Sequence, residues 1–320
     1  MRKKSRKSLL KFILSLSVIV LIFVGGGSWY LIRYALTPSR QIKQKNDSTD
    51  LFMAERYPFY KSWTDSLKQA EALRDTFITN KEGIRLHAYY VRAARPTRNT
   101  AVIVHGYTDN AMRMMMIGYL YSRDLGFNIL LPELQYHGAS GGNAIQMGWK
   151  DRLDVMEWMD VADRLYGPDT KMVVHGISMG AATTMMVSGE RQPLYVKAYV
   201  EDCGYTDVWD QFAKELDEGF RLPPFPLLHT ASRLCDILYG WNFKEASALK
   251  QVARCKLPML FIHGDKDRYV PTRMVYPLYE AKCEPKELWI VPGAAHAVSY
   301  QENPEEYTRK VRGFIDRHVR

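Results

Sequence analysis

Residues 171–189 read KMVVHGISMGAATTMMVSG, and this stretch decides the fold. The apolar run through His175 predicts a buried β-strand, and the small and apolar residues after Gly180 predict a helix. Between them lies the pattern GxSxG, which places Ser178 on the sharp turn of a nucleophile elbow. Glycines beside such a turn let backbone and substrate approach closely, because glycine has no Cβ atom. Ser178 is therefore the first candidate for a catalytic nucleophile.

The composition of the 320-residue chain is that of a globular protein, with 47% hydrophobic and 25% charged residues. The formal net charge of +9 would suit a nucleic-acid partner. However, residues 1–45 contain ten lysines and arginines and no acidic residue, so residues 46–320 carry a net charge near −1. Because the folded body has no basic excess, we expect no binding to nucleic acid.

The N-terminal residues have the pattern of a membrane-targeting segment. A basic tail at residues 1–11 precedes an apolar segment at residues 12–32, which as a helix is long enough to cross about 30 Å of hydrocarbon. A cleaved signal peptide is the alternative, with Gly26 and Ser28 as small residues before the cut. A retained anchor is favoured because the apolar run resumes after the glycines. Both interpretations export the body to the extracytoplasmic side, although basic residues after the segment leave the reverse orientation open.

The remainder of the chain divides into four segments. Residues 33–75 are predicted to form a linker and an N-terminal helix, since apolar residues recur at helical spacing over residues 50–73. Residues 76–205 and 255–320 alternate between strand and helix patterns and form the two parts of one core. Residues 206–254 interrupt this alternation with helical spacing, a proline cluster and several aromatic residues, which predicts an inserted cap.

The alternating part predicts an α/β fold in which a mainly parallel sheet has helices on both faces. It begins with a hairpin over residues 77–91 and contains a helix at residues 150–165. Besides the strand before Ser178, strands are predicted at residues 100–104, 127–131, 196–201, 259–263 and 286–291. A cap inserted after a central strand would lie over the carboxyl ends of the strands, where such sheets bind ligands.

Two strand-end loops supply an acid and a base downstream of Ser178. Asp265 and Asp267 follow one predicted strand, and His296 lies in a loop of small residues after the next. Serine is a poor nucleophile at neutral pH, so an imidazole must accept its proton and a carboxylate must orient that imidazole. The order Ser, Asp, His therefore predicts a catalytic triad. Asp265, which could instead bond loop amides, and Asp202, at the end of another core strand, are the rival acids.

These residues resemble the α/β-hydrolase fold family, in particular its branch of lysophospholipase-like, carboxylesterase-like and serine aminopeptidase-like enzymes with a cap domain. The resemblance covers residues 76 to 318, roughly, by the order of strands and helices. In that family the acid is the second aspartate of an HGxxDxxVP pattern, which residues 263–271 match, so the resemblance favours Asp267. It also implies an oxyanion hole made by the backbone amides of Tyr107 and Met179.

One segment departs from the family pattern. Many relatives carry Asp-x-Arg-Gly-His-Gly-x-Ser, whereas residues 133–140 read ELQYHGAS and keep only the second half. Because this segment is usually structural, the departure concerns the packing of a loop rather than catalysis.

No cofactor and no metal site are expected. Four histidines precede glycines and are interpreted as hydrogen-bonded turn residues, since no HExxH or Cys-His spacing accompanies them: His105, His137, His175 and His263. The spacing of the cysteines matches no metal or small-scaffold pattern, so no disulfide is assigned among Cys203, Cys235, Cys255 and Cys283.

The sequence thus predicts a membrane-anchored, extracytoplasmic serine hydrolase that acts on a small-molecule acyl substrate, with a carboxylic ester as the first expectation. A serine peptidase or aminopeptidase, or an acyltransferase, would use the same triad. A noncatalytic binding protein on the same fold is the alternative from another class. The sequence does not indicate an oligomeric state.

Overall fold

The computed structural model describes residues 2–38, 46–168 and 170–319. The strands are β1 Leu73–Thr79, β2 Arg85–Val91, β3 Asn99–Val104, β4 Asn128–Glu133, β5 Lys171–Ile177, β6 Val196–Asp202, β7 Met259–Gly264 and β8 Lys286–Val291. The helices are α1 Arg2–Leu36, α2 Asn46–Arg56, α3 Tyr60–Gln69, α4 Met115–Tyr119, α5 Asp151–Tyr166, α6 Met179–Ser188, α7 Val208–Phe220, α8 Leu227–Tyr239, α9 Ala248–Val252, α10 Val275–Ala281, α11 Ser299–Glu302 and α12 Pro304–His318.

The strands form one eight-stranded sheet in the order β1-β2-β4-β3-β5-β6-β7-β8. β1 pairs antiparallel with β2, and β2 pairs antiparallel with β4. All pairs from β4 to β8 are parallel. The predicted mainly parallel sheet is confirmed. Parallel strands direct their carboxyl ends to one edge, and this edge receives the loops that carry the candidate site.

Successive residues of the central strands point to opposite faces of the sheet. Val102 and Val104 join one hydrophobic cluster, and Ala101 and Ile103 join the other. The first cluster includes buried residues of α5, α6 and α10, and the second includes residues of α2, α4 and α12. Burial on both faces explains why these strands are apolar throughout rather than alternating.

The prediction of a single helix over residues 50–73 was wrong, because the structure has two helices there. Residues 50–73 form α2 and α3, and the chain enters β1 at Leu73. Pro58 lies between the two helices. A proline disfavours the helical conformation of the residue before it, so Tyr57 is the point at which one helix cannot continue. The periodic apolar residues were read correctly as helical, but the proline was not read as a break.

α1 extends beyond the predicted apolar segment at both ends. One window of this helix has the length and mean hydropathy, 2.2, of a membrane-spanning segment, within Leu10–Leu36. The predicted linker that follows α1 lies partly outside the described residues, because residues 39–45 are not among them.

The chain between β6 and β7 leaves the sheet and returns to it. An isolated antiparallel bridge joins Asp207 to Ser247 at the base of this excursion. α7 and α8 lie between the two bridged residues in sequence and contribute residues to the cavity that contains Ser178. α9, in contrast, packs against α6 on the side of the sheet.

Candidate active site

The backbone at Ser178 has the geometry of a strained turn. Its φ of 59° and ψ of −119° lie outside the regions that residues with side chains usually occupy. The turn is held by a 2.8 Å hydrogen bond from the Ser178 amide to the carbonyl oxygen of Asp202. A Cβ atom at Gly180 would overlap the carbonyl oxygen of Val104, and one at Gly176 would overlap Gly180 itself. The two glycines are therefore required by close backbone packing, as the sequence predicted.

Ser178, His296 and Asp267 lie in one hydrogen-bonded line. The Oγ atom of Ser178 is 2.8 Å from Nε2 of His296, and Nδ1 of His296 is 2.7 Å from Oδ2 of Asp267. Ser178 is reached from β5, Asp267 from the loop after β7 and His296 from the loop after β8. Distant segments of the sequence are thus brought together at the carboxyl edge of the sheet.

The surroundings of Asp267 keep its carboxylate ionised. Burial acts to raise its pKa, but hydrogen bonds from His263 and His296 outweigh this effect and lower the pKa to about 2. The other oxygen, Oδ1, accepts 2.9 Å hydrogen bonds from the amides of Tyr269 and Val270. Because an ionised carboxylate only accepts hydrogen bonds, Nδ1 of His296 carries the proton and Nε2 is free to accept one from Ser178.

The rival acids have other partners. Asp265 accepts a 2.7 Å hydrogen bond from the amide of Gly293 and so links the loops after β7 and β8. The carboxylate of Asp202 accepts hydrogen bonds from the hydroxyls of Tyr307 and Ser299, at 3.1 and 3.3 Å. Burial raises the pKa of Asp202 to about 6.

Tyr107 and Met179, whose amides the resemblance assigns to an oxyanion hole, line the same cavity as Ser178. The loop that carries Tyr107 is ordered by a histidine: the amide of Thr108 donates a 3.1 Å hydrogen bond to Nε2 of His137. His105 in turn accepts a 3.0 Å hydrogen bond from the amide of Leu134. These histidines act as acceptors for turn amides, and they position the loop beside Ser178.

The segment that departs from the family pattern is well ordered. The buried side chain of Glu133 accepts a 2.6 Å hydrogen bond from the amide of Ala139 and lies 2.8 Å from Nδ1 of His87. The hydroxyl of Ser140 donates a 2.6 Å hydrogen bond to the carbonyl oxygen of Glu133. Glu133 therefore closes this loop from within, although Gln135 and Tyr136 stand where the family pattern has arginine and glycine.

One group of metal-ligand residues overlaps the site. Donor atoms of Cys203, Asp267 and His296 lie within 4.8 Å of one another. Burial and the nearby carboxylates raise the pKa of the Cys203 thiol well above its ordinary value, which disfavours the thiolate form that ligates metals. Both ring nitrogens of His296 already have partners. This donor set does not suit a metal ion.

The cavity above Ser178 measures about 690 Å³ and has mostly apolar walls. α7 contributes Phe212 and Leu216, and α8 contributes Leu228 and Ala231. The C-terminal end of α1 and the two residues after it form another part of the wall, next to these helices. Sequence reasoning missed this wall, because it assigned residues 12–32 to the membrane and the residues after them to a linker. Its buried face carries Ser28, Ile32 and Leu36, spaced four residues apart, but two of these are apolar residues of the kind that a membrane helix also has.

Residues 133–320 match the model of the peptidase S9 family, described as the prolyl oligopeptidase family, over more than half of the chain. The chain belongs to the prolyl oligopeptidase family. It is therefore a serine hydrolase with the α/β-hydrolase fold, and the expected fold class and enzyme class are confirmed.

Two relatives extend the match in sequence. The uncharacterized protein YqkD of Bacillus subtilis is 32% identical over 239 residues, which cover 75% of this chain and 78% of that protein. Protein bem46 of Schizosaccharomyces pombe is 23% identical over 205 residues, which cover 63% of each chain.

Solved structures of the same fold include two esterases. The Pyrococcus furiosus esterase Pf2001 superposes with a TM-score of 0.64 at 23% identity, covering 79% of this chain and 96% of that one. The esterase domain of a Rhodothermus marinus protein has a TM-score of 0.55 at 19% identity, covering 78% of this chain and all of that one. At these identities the likeness concerns the fold alone.

Proposed function

We propose that this serine hydrolase cleaves a carboxylic ester through Ser178, His296 and Asp267, on the extracytoplasmic side of the membrane that holds α1. The observation that carries the proposal is the hydrogen-bonded line from Ser178 through His296 to Asp267, with distances of 2.8 and 2.7 Å. Those distances fall in the range in which an imidazole can take the proton of a serine hydroxyl.

The reaction follows from these positions. Ser178 Oγ attacks the acyl carbonyl while Nε2 of His296 takes its proton, and Asp267 stabilises the resulting imidazolium. The amides of Tyr107 and Met179 donate to the oxyanion. His296 then gives the proton to the departing alcohol, which leaves an acyl ester on Ser178. Water, deprotonated by His296, attacks that ester and releases the acid and the free Ser178 hydroxyl.

An ester substrate is supported by the walls of the cavity. The apolar side chains above Ser178 suit an acyl chain, because burying apolar surface is the main source of binding energy in such a site. The carboxylate of Glu215 also lines the cavity, but it already pairs with Lys214 at 3.0 Å. Two solved structures of this fold, described above, are named esterases.

A peptidase acting on short peptides is the second candidate function. The observation that favours it is the match of residues 133–320 to a family named for oligopeptidases. An amide would use the same triad, with His296 protonating an amine as it leaves.

Labelling of the full chain in detergent by a fluorophosphonate probe tests the nucleophile. We expect labelling that is lost in Ser178→Ala and kept in Ser62→Ala, an exposed serine of α3. Turnover is then compared between p-nitrophenyl esters and aminoacyl amides. Ester turnover that depends on Ser178 supports the proposal, and turnover of amides alone supports the peptidase. A folded wild-type chain that neither labels nor turns over would support a noncatalytic binding protein.

Membrane anchoring is supported by the exposed apolar side chains of α1 between Leu10 and Phe23. The orientation can be tested with Cys283, the exposed cysteine, while Cys203, Cys235 and Cys255 are buried. In intact cells a membrane-impermeant maleimide should label the wild-type chain and leave Cys283→Ser unlabelled. Labelling that appears only after the cells are lysed would place the body on the cytoplasmic side.

A further inference from the structure

The surroundings of α1 change along its length. From Leu10 to Phe23 its apolar side chains are exposed. Beyond that stretch Ser28, Ile32 and Leu36 are no more than 1% exposed. Residues four apart lie on the same face of a helix, so the last part of α1 buries one continuous face. This end of the helix belongs to the folded body.

Polar contacts fix the C-terminal part of α1 to α8 and to the segment before α5. The hydroxyl of Ser28 donates a 2.9 Å hydrogen bond to the carbonyl oxygen of Leu227, at the start of α8. The amide of Ile145 donates a 2.8 Å hydrogen bond to the carbonyl oxygen of Leu36. Gly27 packs so closely on α8 that a Cβ atom there would lie 3.1 Å from Cδ2 of Leu227.

The same part of α1 lines the cavity that contains Ser178. Leu31, Tyr34 and Ala35 from the helix, with Pro38 after it, line the cavity together with residues of α7 and α8. The acyl chain in the proposed reaction would therefore lie against the end of the anchor. This arrangement requires that the anchor is retained.

The dimensions of α1 set the distance between the cavity and the membrane. Residues 10–27 span about 27 Å at about 1.5 Å per residue, close to the thickness of the hydrocarbon of about 30 Å. The docked part of the helix thus begins where the hydrocarbon ends. Trp29, Tyr30 and Tyr34 are exposed at this level, and aromatic residues favour the membrane interface.

The loop between α7 and α8 adds an apolar rim at the same level. Phe220 at the end of α7 and Leu222 and Phe225 of the loop are exposed, and Phe225 is 70% exposed. The ring of Phe220 meets that of Tyr34 edge to face, with the centroids 6.0 Å apart. Exposed apolar residues that continue a membrane helix are suited to contact with the bilayer.

We infer that residues 28–38 form one wall of the acyl-binding pocket, and that the pocket takes an amphiphilic acyl ester from the bilayer in which α1 resides. The inference rests on the proposed ester hydrolase and specifies its substrate class. The apolar rim lies on the bilayer, and the acyl chain passes from the hydrocarbon into the cavity beside Leu31 and Tyr34. A membrane lipid with an ester-linked chain has this chemistry, whereas a water-soluble short ester does not need the rim.

The role of residues 28–38 as a wall of the pocket is tested by placing a larger side chain there, which fills part of the cavity. Leu31→Trp narrows the cavity, and Leu21→Trp makes the same change at an exposed position in the membrane part of the helix. The full chain in nanodiscs is assayed with a series of p-nitrophenyl esters from butanoyl to hexadecanoyl. Each CH₂ group of an acyl chain that is buried in the cavity strengthens binding roughly fourfold. Leu31→Trp should exclude a few of these groups, so the ratio of kcat/KM for long-chain esters to kcat/KM for short-chain esters should fall at least about tenfold. Leu21→Trp should keep the wild-type ratio.

Tyr34→Ala supplies a second variant, because it widens the same wall and should move the preferred chain length upward. Fluorophosphonate labelling separates the two levels of the proposal. If the wild type does not label, the proposed hydrolase itself fails. If wild type and variants label at Ser178 but share one chain-length profile, the hydrolase stands and the inference about the wall is overturned.

Access from the bilayer is tested with Phe225→Asp in proteoliposomes that contain a dodecanoyl glycerol ester. We expect turnover of the embedded ester to fall relative to turnover of soluble p-nitrophenyl butyrate. Leu194→Asp, at an exposed position before β6 and so at the opposite edge of the sheet, is the matched control and should keep the ratio. If the ratio of embedded-ester turnover to soluble-ester turnover is the same in both variants, the inference that the substrate enters from the bilayer is overturned.

Discussion

The hydroxyl of Tyr107 donates a 2.8 Å hydrogen bond to the carbonyl oxygen of Ala35. Ala35 lies in the last turn of α1, where carbonyl groups have no partner within the helix. Tyr107 therefore caps the helix and at the same time ties the loop after β3 to it. The residue whose amide is proposed to bind the oxyanion is thus held in place by the end of the proposed anchor.

Tyr107→Phe tests this hydrogen bond between the loop after β3 and the end of α1. Removing the hydroxyl leaves the Ala35 carbonyl without its partner, and we expect a loss of about 1 kcal/mol in the free energy of unfolding. The loop should also become less well positioned, so kcat for a short ester should fall severalfold with little change in KM. Thermal unfolding and steady-state kinetics in detergent measure both effects. Tyr276→Phe, on the exposed face of α10, is the control. If both variants show the same stability and the same kcat, the role of the Tyr107 hydroxyl in positioning the loop is contradicted.

Asp267→Asn tests the assignment of the acid. Asparagine keeps the size of the side chain but cannot stabilise an imidazolium and favours the wrong tautomer of His296, so kcat should fall by about 10³ to 10⁴. Asp265→Asn is the matched control, since it removes a carboxylate from the same loop, one that accepts a hydrogen bond from the amide of Gly293 rather than from His296. A larger loss of kcat in Asp265→Asn would reverse the assignment. Because the pKa of Asp267 is about 2, its titration should not appear in the pH-rate profile above pH 4.

Local signals in the sequence were enough to predict the sheet and to place Ser178, His296 and the two aspartates Asp265 and Asp267 at one edge, and the family resemblance then favoured Asp267. Apolar runs marked the strands, and glycine-rich turns marked where the candidate residues emerge. Such signals are sufficient because the carboxyl ends of parallel strands all lie at one edge of the sheet, so the loops that follow them meet there. The break at Pro58 was also a local signal, and it was overlooked.

The wall formed by α1 had no comparable signal. Whether an apolar helix faces lipid or protein depends on what it packs against, and the partners of Ser28 and Leu36 are residues far away in sequence, Leu227 and Ile145. Composition alone assigned residues 12–32 to the membrane, since lipid and a protein core select the same apolar side chains. Only the three-dimensional contacts separate the two parts of α1.

Gly180→Ala tests the packing of the elbow. A methyl group there would overlap the carbonyl oxygen of Val104, which belongs to β3 and cannot move without disturbing the sheet. We expect a loss of several kcal/mol in stability, with little folded protein recovered. Gly219→Ala, in a helix and with open space around it, should instead stabilise α7 by up to about 1 kcal/mol. Thermal unfolding of the two variants would show opposite shifts in Tm, and a folded Gly180→Ala with the wild-type Tm would contradict the packing argument.

Glu201→Gln tests a buried carboxyl next to the site. Glu201 is fully buried at the end of β6, where its Oε2 accepts a 3.0 Å hydrogen bond from the amide of Gly204. Burial raises the pKa of this carboxyl from its ordinary 4.5 to about 8. Between these two values the unfolded chain is ionised at this position and the folded protein is protonated. Folding therefore takes up a proton, and the stability of the wild type falls as the pH rises through this window.

Glutamine keeps an acceptor for Gly204 but does not titrate. As the pH rises from 5 to 8, the free energy of unfolding of Glu201→Gln should increase relative to that of the wild type. The increase should be up to about 1.4 kcal/mol for each pH unit. The measurement is the Tm of both proteins in detergent at pH 5, 6, 7 and 8. Glu280→Gln, at an exposed carboxyl of α10, controls for the general effect of losing a charge. Parallel curves for wild type and Glu201→Gln would mean that Glu201 is already ionised in the folded protein, paired with the buried His263 that faces it.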